Sequence, residues 1–152
     1  MRGPEPPTVA TAVMVQRWRW MTFIHWRYPA EVIQPLLPCG LRVHTFDGAA
    51  WVGLLPFLMD DMRPPRVPAI PWLSRFPETN VRTYVRGPDG STGIFFFSLD
   101  AARLPAVAAA RASLWLPCFW SDMTIAAQAD TMIYRGCRRA TSTPTPSPPS
   151  TP

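Results

Sequence analysis

Phe76-Pro77-Glu78-Thr79-Asn80-Val81-Arg82-Thr83-Tyr84-Val85-Arg86, then Gly87-Pro88-Asp89-Gly90, then Ser91-Thr92-Gly93-Ile94-Phe95-Phe96-Phe97-Ser98-Leu99, is the stretch whose pairing sets the fold. Two runs rich in β-branched and aromatic residues, separated by turn formers, read as a β-hairpin. Alternation places Glu78, Asn80, Arg82 and Tyr84 on one face and Thr79, Val81, Thr83 and Val85 on the other. A turn that pairs Arg86 with Ser91 sets Tyr84 opposite Gly93, Arg82 opposite Phe95 and Asn80 opposite Phe97. The polar row then shares its face with phenylalanines, and an acid, an amide, a guanidinium and a phenol over an aromatic floor suit a small-molecule pocket. The competing reading is a hydrated outer face along which Glu78 pairs with Arg82. A slip of one residue exchanges the two faces.

Upstream, Leu41 to Phe46 reads as a strand, Asp47-Gly48 as a hairpin turn and Ala49 to Met59 as the returning strand. That strand is apolar on both faces, which suits the centre of a sheet. Arg17 to Trp26 alternates basic or polar with aromatic residues, as one strand would. Tyr28-Pro29-Ala30-Glu31 then opens a short helix, stopped by Pro35 and Pro38. The loop from Asp60 to Pro77 holds Pro64, Pro65, Pro68, Pro71 and Pro77, and loops of that length often serve as lids or binding loops. Pro105 to Trp115 is the one long helix, rich in alanine and ended by Pro117; Ile125 to Tyr134 reads as one further strand. The fold class is therefore α+β, mainly antiparallel β, with one or two packed helices. Residues 1–15 read as a loose leader. Residues 135–152 form an arginine-rich join and a Ser/Thr/Pro tail with nothing to bury, expected to be disordered.

The 152 residues, 47% hydrophobic and 12% aromatic, suit a single domain and exclude a wholly disordered chain, while 20 prolines exclude a helix bundle. All 15 Lys+Arg residues are arginine, so this chain offers no lysine for a Schiff base or a P-loop. The net charge of +5 is concentrated: without Arg135, Arg138 and Arg139, 12 arginines face 10 acids, and only Arg17, Arg19 and Arg27 form a loose basic cluster. No nucleic-acid partner is expected on that balance. Cys39, Cys118 and Cys137 form no C-x-x-C, and His25 and His44 are the only histidines, so neither a metal nor a cofactor is expected. Ahead of the tail the longest uncharged run is the 12 residues from Gly48 to Met59, too short for a membrane span. A soluble cytoplasmic protein is the expectation, with a homo-oligomer compatible.

Arg111 stands in an otherwise apolar helix, where a buried guanidinium needs a partner. Asp100 or Glu78 would serve as that partner, and so would a ligand. His25, between Ile24 and Trp26, reads first as a core histidine. No Ser-His-Asp or Cys-His arrangement is legible.

His25-Trp26, Thr45-Phe46-Asp47-Gly48-Ala49-Ala50-Trp51-Val52, Phe76 to Val85, Phe96-Phe97-Ser98-Leu99-Asp100-Ala101 and Ala110-Arg111 together resemble the DUF2071 (YqjF-like) family of uncharacterised bacterial proteins, over about residues 17–134. The resemblance implies a barrel-like sheet around a pocket, as in the acetoacetate decarboxylase-like superfamily. It matches Phe76-Pro77-Glu78 to a strand glutamate of the decarboxylases, and Arg111, six residues before Pro117, to a helix arginine preceding Pro-Lys-Lys. Cys118 and Phe119 stand where those lysines would be, so Schiff-base decarboxylation is not implied. The resemblance further implies a C-terminally truncated member, with a sheet incomplete at that end and poorly stable alone.

Three functions follow as expectations. The first is a small-molecule-binding protein whose pocket is lined by Glu78, Asn80, Arg82, Tyr84 and Arg111 over Phe95 and Phe97, taking a carboxylate or aromatic ligand. The second is an enzyme with Glu78 as acid/base and Arg82 or Arg111 holding the substrate. The third is a structural or interaction protein with no pocket function.

Overall fold

The computed structural model describes residues 12–114 and 116–139, apart from the side chains at 109–111, 113 and 114. The elements in chain order are β1 (Val15–Arg19), β2 (Ile24–Tyr28), α1 (Ala30–Ile33) with a 3-10 turn at Gln34–Leu36, β3 (Arg42–Val43), β4 (Ala50–Arg63), β5 (Phe76–Arg86), β6 (Thr92–Ala101), α2 (Leu104–Leu114), β7 (Cys118–Gln128) and β8 (Thr131–Arg138). The strands form one mostly antiparallel sheet in the order β1-β4-β5-β6-β7-β8, with β2 also on β4 and β3 on β5. β1 and β8 end this path and do not pair with each other, so among the described residues the sheet does not close. Among the described residues no helix is long and apolar enough to cross a membrane.

β4 is central because it is apolar on both faces: Leu55, Phe57, Leu58 and Met59 are all buried. Phe57 and Met59 join Phe76, Leu99, Ala101 and Val107 in the main core, where α2 lies on the sheet. Trp18 of β1 stacks on Phe57 with ring centroids 4.9 Å apart. α2 also provides the crossover that lets β7 run parallel to β6, pairing Leu99 with Cys118, Asp100 with Phe119 and Ala101 with Trp120.

Several local expectations are corrected. Arg17 to Trp26 is two strands, because Trp20 takes a positive φ of 51° and breaks the run. The strand expected over Leu41 to Phe46 shortens to Arg42–Val43, although Asp47 and Gly48 turn as an Asp-Gly pair does, with φ of 52° and 68°. Ile125 to Tyr134 is not one strand but the tip of the β7–β8 hairpin, which turns at Ala129 with φ 50°.

The arginine-rich join is not disordered as far as Arg139. β8 continues to Arg138 because Arg138 and Arg139 find Asp100 and Asp122. Of the expected leader, 12–15 is described and Val15 begins β1; 1–11 and the tail 140–152 lie outside the described residues.

The β5–β6 register differs from the expected one. Gly87 N–H donates to Ser91 O at 2.8 Å, and Asp89 Oδ1 accepts from Ser91 N at 3.0 Å, so Ser91 belongs to the turn and Arg86 pairs with Thr92. The register then shifts again between Val81 and Arg82, where Phe97 is the extra residue of a bulge. Tyr84 consequently faces Ile94, Arg82 faces Phe96 and Asn80 faces Leu99.

Candidate functional site

The polar row of β5 meets apolar partners on both sides. Glu78 lies between Phe57 of β4 and Ala101 of β6, Asn80 between Leu55 and Leu99, and Arg82 between Gly53 and Phe96. Beneath α2, Glu78 and Asn80 line a cavity of about 200 Å3 whose walls include Phe76, Phe96, Leu99 and Val107. Cys118, at the position the family resemblance equates with a decarboxylase lysine, lines it too. Asn80 is 1% exposed, and its Oδ1 is enclosed without a hydrogen-bond partner. Burial pushes the Glu78 carboxyl up from 4.5 to about 7, because the apolar surroundings disfavour the charged form. No arginine or histidine lies within ion-pair reach of it among the described residues.

A second cavity, of about 400 Å3, lies between the sheet and the β7–β8 hairpin, lined by Leu54, Pro56, Thr79, Ser121, Met123 and Tyr134 among others. Glu78 is the residue that lines both cavities. The hairpin is held by side chains. Tyr134 OH donates to Trp20 O at 2.7 Å and lies 2.8 Å from Thr22 Oγ1. Arg138 donates to both oxygens of Asp100, at 2.7 and 3.1 Å, with its guanidinium 4.1 Å above the Phe119 ring. Ser121 Oγ is enclosed without a partner.

The expected site therefore divides. Glu78 and Asn80 come together, whereas Arg82 and Tyr84 belong to another cluster. Four residues along a strand separate the Cα atoms of Glu78 and Arg82 by about 13 Å. The Arg82 guanidinium lies 5.6 Å from the Phe23 ring and 5.9 Å from the Tyr84 ring. Tyr84 OH and His25 Nε2 are hydrogen-bonded at 2.9 Å.

The expected floor of Phe95 and Phe97 is corrected to Phe96, since the longer turn sets Phe95 opposite Thr83 and the bulge leaves Phe97 unpaired; Phe95 and Phe97 instead make an edge-to-face pair at 5.5 Å. The Glu78–Arg82 ion pair of the outer-face reading does not form. The Arg111 side chain lies outside the described residues, and Asp100, its suggested partner, holds Arg138. Sequence reading missed Phe96, Ser121 and the pairing of His25 with Tyr84. Only Phe96 had a local signal, as one of three consecutive phenylalanines. The others depend on contacts between distant parts of the chain.

Comparison with known proteins agrees with this architecture. The chain is similar to an acetoacetate decarboxylase from Legionella pneumophila, at a TM-score of 0.65 and 18% identity over 87% of this chain and 49% of that one. It is also similar to an acetoacetate decarboxylase-like enzyme from Sphingomonas wittichii RW1, at a TM-score of 0.57 and 19% identity over 79% and 45%. These likenesses describe the fold. In sequence, the chain is 39% identical to the uncharacterized protein YqjF of Bacillus subtilis (strain 168) over 127 residues, 84% of this chain and 52% of that protein. It thus spans about half the length of that curated relative. The DUF2071 model, described as an uncharacterized conserved protein, matches residues 15–151, further than the 17–134 that carry the resemblance. This chain belongs to the DUF2071 family.

Proposed function

We propose that the protein binds a small carbonyl compound in the cavity beneath α2, with Glu78 as its proton-exchanging group. One observation carries this reading: the Glu78 carboxyl lines that cavity and is raised by burial to about 7, where it can both donate and accept a proton near neutrality. Asn80, buried beside it with an unused Oδ1, supplies a second polar contact, and Phe76, Phe96, Leu99 and Val107 would enclose the carbon skeleton. About 200 Å3 suits a molecule of a few heavy atoms. The fold likeness to acetoacetate decarboxylases supports 2- and 3-oxo acids and small ketones as the class to try. With no lysine in the chain, the reading involves no Schiff base.

A second reading, favoured by the same pKa, is catalysis. Glu78 as carboxylate would take a proton from the carbon beside the carbonyl, leaving an enolate, exchange that proton with solvent, and deliver a solvent-derived one back to the same carbon. Incubating the protein with ketones and oxo acids in D2O tests both readings by NMR. Ligand-line broadening that Glu78→Gln abolishes supports binding. Deuterium incorporation lost in the same variant supports catalysis. Neither effect across the panel would leave a purely structural or interaction role.

A further inference from the structure

At the opposite end of the polar row, Arg82 is 7% exposed, and its Nε is enclosed with no acceptor. No carboxylate lies within ion-pair reach of it among the described residues. The aromatic rings of Phe23 and Tyr84 beside it offset part of the desolvation, but they leave five N–H donors without an anion. Such a guanidinium is built to receive one.

The surroundings say what kind. Gly53 stands opposite both His25 and Arg82, and a Cβ there would lie 2.8 Å from His25 Nε2. The missing side chain lets the imidazole lie across β4 and reach Tyr84 OH. His25 and Tyr84 then continue into an open groove of about 480 Å3, completed by His44, Phe46 and Trp51. None of these five is acidic. Arg86 donates to His44 Nε2 at 3.2 Å, adding a second positive charge at the rim. An aromatic groove whose lining lacks a carboxylate, with Arg86 on its His44 and Arg82 beside its Tyr84, favours a flat anion over a cation.

We propose that Arg82 and the His25–Tyr84 pair form a binding site for small aromatic carboxylates, separate from the Glu78 cavity, with the ligand's ring in the groove of Phe46, Trp51 and Tyr84 and its carboxylate directed to Arg82. The binding is non-covalent and consumes nothing.

Isothermal titration of the full chain with benzoate, benzyl alcohol and benzylammonium tests this without any substitution. Benzoate is expected to bind about tenfold or more tightly than the alcohol, and the ammonium more weakly still. Arg82→Gln should bring benzoate to the level of the alcohol. If that variant does not fold, Phe46→Ala, at a residue 75% exposed, should weaken benzoate several-fold. Equal affinity for acid and alcohol, preference for the ammonium, no binding at millimolar benzoate, or indifference to these substitutions would each overturn the proposal. So would a benzoate affinity that follows Glu78→Gln instead, which would place the acid in the other cavity.

Discussion

The imidazole of His25 occupies the space that a side chain on Gly53 would fill: a Cβ at Gly53 would meet His25 Nε2 at 2.8 Å and Leu55 Cδ1 at 3.1 Å. Gly53→Ala should therefore push His25 off β4 and break its 2.9 Å bond with Tyr84. The combined overpacking and lost hydrogen bond should cost about 1–3 kcal/mol, seen as a lower Tm and a shifted His25 ring resonance. An unchanged Tm and ring shift would show that the ring moves freely.

Glu78 makes stability depend on pH. Its folded pKa, about 7, lies above the unfolded 4.5, so between those values the folded state holds more protons than the unfolded chain. Stability is then greatest below pH 4.5 for this group and falls as pH rises toward 7, by at most about 3 kcal/mol. Glu78→Gln should remove that slope between pH 5 and 8 in thermal melts. A parallel slope in both proteins would assign it elsewhere.

The Arg138–Asp100 pair ties β8 to β6 across β7, where the β6–β7 ladder is short. Arg138→Ala should cost about 1 kcal/mol, since the pair is partly exposed, with the loss confined to faster amide exchange in β7 and β8. Asp100→Asn should add little on top of it in a double-mutant cycle. Full additivity would mean that the two residues act independently.

Phe57 is fully buried and stacked on Trp18. Phe57→Ala should destabilise the fold by about 3–5 kcal/mol, read from denaturant midpoints, while Phe46→Ala at an exposed ring should stay within about 0.5 kcal/mol. Equal effects would contradict the placement of the core.

What could be read from residue order follows from short-range rules. A two-residue side-chain period marks β5 and β6, proline and glycine mark their turn, and an apolar run marks β4 as central. The common face of Glu78 and Asn80, and the lack of any lysine chemistry, are legible in the same way.

Register, however, was set by Ser91 entering the turn and by a bulge at Phe97, and no period shows either. These exchanged Phe95 for Phe96 beside the site. The pKa of Glu78 arises because the sheet and α2 remove water around it, and α2 begins at Leu104, far along the chain. His25 meets Tyr84 across 59 residues because both strands flank β4 at Gly53. Local pattern selects the strands. Burial and charge depend on which strands and helices come to lie side by side, and only the folded sheet decides that.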